Sequence, residues 1–372
     1  MTEGIVLTLF LTFFAASVSS QSPSSPCCAD QKADWTEQQR ELIIEHVRAF
    51  PEQTQLAFAF IENGAVSFSG IIVGNDSIRQ VDNRHHTFEI GSISKVFTAG
   101  LLAALVTEGR VRLDEPVNNY LSFPIKDSIR PTFRQLANHT SGLPRMPSNF
   151  EAGIPFDPAN PYRNYGEDLL KDYLTSQVEL IYQAGERNEY SNLGAGLLAY
   201  TLTELTGLDY QQLLEKYLFS KYEMSKSTTR REEVLSSLVS GLDPQGGETS
   251  NWDFSVLVGA GGILSTTEDL AKFALAQFDD SSRELKMTQK QTFTVDDRLG
   301  LGLGWHIVKD ASKSKLYCHN GGTGGYSSSI VFDSAQANGV IILSNVSAFH
   351  PESRKIEQLC FSLLRTFDQP LD

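Results

Sequence analysis

Phe88-Glu89-Ile90-Gly91-Ser92-Ile93-Ser94-Lys95-Val96-Phe97 is the stretch whose reading decides the rest of the chain. A short strand-like run meets a Gly-Ser turn there. A helical pattern follows, with Val96, Leu101, Leu102, Ala104 and Leu105 at helical spacing until Gly109 ends it. Ser92 therefore stands at a helix N-terminus, beside unpaired backbone N–H groups and the positive end of the macrodipole, where a forming anion is stabilised. Lys95 follows three positions later on the same face, within reach of the serine hydroxyl. That hydroxyl is a poor nucleophile until a base takes its proton, and a lysine kept neutral by its surroundings serves as such a base. The plainer reading of Ser92 is a helix cap.

Upstream of this stretch, residues 36–50 carry a Thr36-Glu37-Gln38-Gln39 capping pattern and a helical stripe of Leu42, Ile43, Val47 and Phe50. Residues 55–61 and 65–73 read as strands joined at Glu62-Asn63-Gly64, a hairpin signal. Downstream, residues 116–278 turn to helices and loops. Helices are expected over 166–176, 191–206, 209–218 and from a capping box at Ser265 to about Phe278, while the prolines at 144, 147, 155, 158 and 161 exclude long regular elements between them. Residues 301–308, 314–318, 327–332 and 339–345 read again as strands. Residues 351–367 close the chain as a helix with Ile356, Leu359, Cys360, Leu363 and Leu364 inward. The pattern implies an α/β plus α architecture: an antiparallel sheet built from both chain ends and flanked by helices, with a helical insert lobe and a cleft between. The sheet lobe is expected over 36–115 and 290–372, and the helical lobe over 116–289.

With 372 residues, 41% of them hydrophobic, the chain has enough apolar material for a large core. A formal net charge of -14 and the lack of any basic run argue against a nucleic-acid partner. Residues 5–16 are apolar but too short for an ordinary membrane anchor, and Val18-Ser19-Ser20 supplies small residues suited to cleavage. The expectation is an export signal over 1–20, although Glu3 and the lack of Lys or Arg ahead of the apolar run depart from the usual form. A Ser/Pro-rich leader over 21–35 follows, with no integral membrane span after signal removal. Lipid attachment at Cys27 is the alternative, disfavoured by the polar and small residues that separate it from the apolar run. Cys27, Cys28, Cys318 and Cys360 are too few for a disulfide framework, and their pairing is not deducible.

Three short clusters fall where they would line the cleft: Ser92-x-x-Lys95, Tyr190-Ser191-Asn192 and His319-Asn320-Gly321-Gly322. Ser312-Lys313-Ser314-Lys315 and Tyr162-Arg163-Asn164 repeat two of these patterns, but in a polar turn and a Pro-rich loop without a strand-to-helix junction. No G-x-S-x-G or H-E-x-x-H occurs, and His85-His86 lacks metal-ligand spacing, so neither a metal nor another cofactor is expected. Gly321-Gly322-Thr323-Gly324-Gly325 lacks the G-K-[ST] and following helix of a phosphate loop. Plainer readings stand beside each cluster: Tyr190 as a buried aromatic, Asn192 as a helix cap, His319 as a packing residue on a strand, and His139 as a structural residue before Gly142.

In order and separation these clusters resemble those of the penicillin-recognising serine hydrolases: class C β-lactamases, D-alanyl-D-alanine carboxypeptidases, D-aminopeptidases and related esterases. His139-Thr140-Ser141-Gly142-Leu143-Pro144, Gly259-Ala260-Gly261-Gly262 and Gly302-Leu303-Gly304-Trp305 are similar stretches, so the resemblance runs from about Gln55 to Asn345. It implies a β-lactamase/transpeptidase-like fold. It also implies Ser92 as the acylated nucleophile, Lys95 as its proton partner and Tyr190 as a second acid/base group. Asn192 would hold the substrate amide and the lysine, His319 and Gly321 would contact substrate, and the backbone N–H groups of Ser92 and Gly322 would form an oxyanion hole. Whether Lys95 or Tyr190 takes the first proton stays open. His319 departs from the lysine usual in β-lactamases. Because histidine is mostly neutral near pH 7, weak β-lactam turnover and better activity on small esters or amides are expected. The implied function is an exported serine hydrolase acting on a small-molecule or short-peptide amide, ester or β-lactam. The alternative is a non-turnover binding protein of the same fold.

Overall fold

The computed structural model describes Met1 and residues 34–74, 77–152, 155–309 and 314–368. The expected signal, most of the leader, Cys27, Cys28 and the first half of the Ser312 pattern lie outside these. At the first helix the capping box forms as read: Thr36 Oγ1 accepts the Gln39 N–H at 3.2 Å and Gln39 Oε1 accepts the Thr36 N–H at 3.1 Å, starting α1, Glu37–Val47. Strands β1, Gln55–Glu62, and β2, Ala65–Gly74, form the expected hairpin, with Asn63 and Gly64 at φ 51° and 79°. A short third strand that the sequence reading missed, β3, Ser77–Val81, extends the sheet beyond β2.

The lead into Ser92 is a short strand, as read. β4, Phe88–Glu89, does not join the main sheet but pairs with β5, Leu264–Ser265, in a separate two-stranded ladder. A 3₁₀ turn, Gly91–Ile93, then feeds α2, Ser94–Thr107. The middle of the chain supplies α3, Phe133–Ala137; α4, Glu167–Asp172; α5, Asn192–Thr206; and α6, Tyr210–Leu214. Helices α4 and α6 run on as π-helical turns over Tyr173–Gln177 and Glu215–Phe219. Helix α7, Thr267–Phe278, is capped by Thr266, whose side chain accepts the Asp269 N–H, because Ser265 is held in β5. The expected box at Ser265 is thus displaced by one residue. After α8, Arg283–Thr288, come β6, Phe293–Thr294, and β7, Leu299–Leu301. The strand expected over 301–308 is two strands, because Gly302–Trp305 turn away to reach helix α2. A Cβ on Gly304, at φ +73°, would lie 2.9 Å from the Lys95 carbonyl oxygen. The chain resumes as β8, His306–Lys309; β9, Lys315–Gly322; β10, Ser327–Asp333; β11, Asn338–Ser344; and α9, Arg354–Arg365.

The main sheet has nine strands in the order β3-β2-β1-β11-β10-β9-β8-β7-β6, every pairing antiparallel. The N-terminal hairpin and the C-terminal strands meet at β1 and β11, so both chain ends build it as the sequence implied. Strand alternation divides the core. Leu56, Phe58 and Phe60 of β1 join α1 and the inward face of α9, where Ile356, Leu359, Cys360, Leu363 and Leu364 are all buried as expected. On the other sheet face, Ala57, Ala59 and Ile61 join the cluster that contains α2, α5 and α7. Each fully buried Leu, Ile or Phe in these layers contributes about 1.5–3 kcal/mol. Cys318 and Cys360 are buried free thiols. Among the described residues no helix is long and apolar enough to cross a membrane.

Candidate active site

Close backbone approach explains why glycine surrounds the serine. Gly91, at φ +50°, lies so near β9 that a Cβ would fall 2.5 Å from the Gly322 nitrogen. A Cβ on Gly321 would fall 2.0 Å from the Ile90 carbonyl oxygen, to which Ser328 Oγ also donates at 2.9 Å. The turn carrying Ser92 is therefore clamped against the end of β9. The missing side chain of Gly321 makes room for the Ile90 carbonyl.

Lys95 lies on the first turn of α2, 3% exposed, with Nζ 2.9 Å from Ser92 Oγ and 2.6 Å from the Ala260 carbonyl oxygen. Burial, with the nearby Arg145 charge as a second cause, holds its pKa well below the ordinary lysine range. A neutral amine in this position donates one N–H to Ala260 and turns its lone pair toward the Ser92 proton. The Ala260 carbonyl had no assigned role in the sequence reading, though the glycine-dense 259–262 run was a signal. A Cβ on Gly259 would lie 2.3 Å from Ala199 Cβ, so this run packs hard on α5.

Tyr190 precedes α5, and the segment after α3 cradles it. His139 Nδ1 accepts the Ser191 N–H at 3.2 Å, Ser191 Oγ donates to the Pro144 carbonyl at 2.7 Å, and the Arg145 carbonyl accepts the Asn192 and Leu193 N–H groups at 2.9 and 3.2 Å. Ser191, not Asn192, caps α5 through the Gly194 N–H. His139 is buried with its ring centroid 4.5 Å from that of Tyr190, so its structural role is to seat the phenol. Lys95 Nζ lies 4.8 Å and the Arg145 guanidinium carbon 5.0 Å from the same ring centroid. Burial raises the Tyr190 pKa above the usual phenol range, opposed by the Ser92 hydroxyl and then by Arg145.

Asn192 reaches the cleft, but its amide nitrogen donates to Tyr162 Oη at 2.9 Å, and Lys95 is bound by Ser92 and Ala260 instead. The expected Asn192 contact to the lysine is not made. Tyr162, set aside with its Y-x-N pattern, is thus part of the site. His319 is 2% exposed and stands behind Tyr190, their ring centroids 6.3 Å apart, rather than on the cleft wall. Its Nδ1–H donates to the Asn320 carbonyl at 2.6 Å, turning the ring back on its own strand, so Asn320 takes the wall position expected of His319. Burial holds His139, His306 and His319 below the usual histidine range. Among the described residues no group of three or more His, Cys, Asp or Glu is arranged to hold a metal.

The cleft above Ser92 encloses about 670 Å³. Ser92, Tyr190, Asn192, Gly321 and Gly322 all line it, so the three clusters, far apart in sequence, converge. Its aromatic wall, which the sequence reading missed, combines Phe150, Tyr162, Trp252 and Phe254, with Tyr162 stacked on Phe254 at 4.2 Å. The pattern of the beta-lactamase family matches residues 43–361. The chain belongs to the beta-lactamase family. It is 23% identical over 346 residues to a putative penicillin-binding protein, PbpX, of Bacillus subtilis, covering 88% of this chain and 82% of that one. To a beta-lactamase of Pseudomonas fluorescens it is 22% identical over 371 residues, covering 89% and 99%. The structure of a class C beta lactamase from Rhodobacter sphaeroides superposes with a TM-score of 0.75 at 18% identity, over 90% of this chain and all of that one. The β-lactamase/transpeptidase-like fold is thus that of this family.

Proposed function

We propose that this member of the beta-lactamase family is a serine hydrolase that works through an acyl-enzyme on Ser92. The observation that carries the reading is the 2.9 Å approach of a buried, deprotonation-prone Lys95 amine to the Ser92 hydroxyl. Lys95 takes the hydroxyl proton as Ser92 Oγ bonds to the substrate carbonyl carbon. The backbone N–H groups of Ser92 and Gly322 face the oxygen that becomes negative. Tyr190 passes its proton to the leaving group as that bond breaks and regains one from the water that cleaves the acyl ester, while Lys95 returns the proton it took to the departing Ser92 Oγ, restoring both groups. Asn192, oriented by Tyr162, and Asn320 contact the substrate's polar groups. His319 is neutral behind Tyr190 and supplies no permanent cation, so small esters and amides are better substrates than β-lactams. The apolar 5–16 segment supports export of the chain.

A panel of short-chain esters, D-amino-acid peptides and a chromogenic cephalosporin, run on wild type and Ser92→Ala, tests this. Ester turnover that vanishes in the variant is expected. Cephalosporin hydrolysis near the diffusion ceiling contradicts the substrate preference, and equal turnover by both proteins contradicts the reading itself. A wild type that is acylated but never released is a binding protein instead.

A further inference from the structure

Arg145 stands out because its charge is used by nothing else in the fold. It follows directly on the segment that seats Tyr190, lines the cleft and is exposed, and among the described residues no carboxylate pairs with it. Its neighbours Arg134 and Arg231, by contrast, each hold an aspartate. Its backbone is pinned by two N–H groups at the start of α5, which fixes where the side chain leaves the chain. From there the guanidinium lies over the face of the Tyr190 ring, with Lys95 Nζ also close to that ring.

We infer that Arg145 is a positioning residue for the hydrolysis: it supplies the standing positive charge that favours a deprotonated Lys95 and a phenolate at Tyr190. The inference rests on the serine hydrolase reading above. The titratable and charged groups facing Tyr190 and Lys95 are His139 and Arg145 from the segment after α3, Tyr162 across the cleft, His319 on β9 and, in ring contact with it and lining the cleft, His306 on β8. His139 and His319 are buried and His306 is half-buried, and desolvation holds all three below the usual histidine range, so none supplies a standing charge near neutral pH. Arg145 disfavours a second cation at Lys95 and stabilises an anion at Tyr190. Both effects have the same sign on activity. Whichever group is the base, removing the guanidinium moves its loss of a proton to higher pH.

The test is kcat/KM against pH for a neutral ester, p-nitrophenyl acetate, which gives Arg145 no substrate anion to hold. Wild type, Arg145→Met, Arg145→Gln and Arg145→Lys are compared, with melting curves and labelling by a fluorophosphonate probe recorded for each. Charge at about 5 Å, weakened by solvent at an exposed site, predicts that the acidic limb rises by about half to one pH unit in the Met and Gln variants. On the limb that is a loss of roughly three- to tenfold, while the Lys variant stays near wild type. A limb unmoved in both neutral variants, or moved equally in the Lys variant, overturns the inference even if KM or kcat falls. If wild-type Ser92 takes no label, the hydrolase reading fails and this inference with it.

Discussion

Glu89, three residues before Ser92, carries the most quantifiable consequence of this arrangement. Glu89 is 5% exposed; Oε1 accepts from Asn251 Nδ2 at 2.8 Å and from the Trp252 N–H at 2.9 Å, and the Thr323 hydroxyl also faces the carboxyl. Burial pushes its pKa from 4.5 to about 7, its hydrogen bonds oppose this, and the Asp253 carboxylate adds to it. Between pH 4.5 and 7 the folded chain therefore binds more protons than the unfolded one, so this group's contribution to stability falls as pH rises and levels off above pH 7. A displacement from 4.5 to about 7, at ~1.4 kcal/mol per pH unit, costs the folded state about 3 kcal/mol at pH 8. Glu89→Gln keeps an oxygen for Asn251 and Trp252 and removes the ionisation. Urea unfolding of both proteins at pH 5 and pH 8 reads the difference. The variant is expected to gain on wild type by about 2–3 kcal/mol between the two pH values. A difference that is the same at both, within about 0.5 kcal/mol, refutes the reasoning.

Lys95→Met removes the amine beside Ser92 while keeping an apolar stem in the buried site, and ester kcat/KM is expected to fall roughly 10²–10⁴-fold with the fold intact; circular dichroism and turnover check both halves. Gly321→Ala drives a Cβ toward the Ile90 carbonyl, and a destabilisation of about 1–3 kcal/mol is expected together with lost activity; a variant with wild-type melting and turnover would show that the clamp is not needed.

Local chemistry made much of this molecule readable in advance. The Thr36 box, the Asn63-Gly64 turn and the spacing of Ser92 and Lys95 depend on neighbours in sequence, and each forms as its residues imply. What escaped depends on distant partners. Nothing near Ile90 in sequence reports that its carbonyl presses on Gly321, or that the strand leading into Ser92 pairs with Leu264 and Ser265. Gly304 looked like a residue within a strand until its approach to the Lys95 carbonyl was seen. Tyr162 was set aside for sitting in a Pro-rich loop, yet that loop folds back to hand its hydroxyl to Asn192. His319 was read for its charge rather than its length. A ring that bonds its own strand carbonyl does not extend to the cleft as a lysine stem would.

The central claim is a covalent bond to the Ser92 oxygen during turnover. Quenching the protein in acid while it processes a slowly hydrolysed ester, then measuring intact mass and mapping peptides, tests this directly. The account predicts a mass increase equal to the acyl group, confined to the peptide holding Ser92 and absent from Ser92→Ala. Turnover with no adduct under any quench time, or an adduct on another residue that persists in Ser92→Ala, would contradict it.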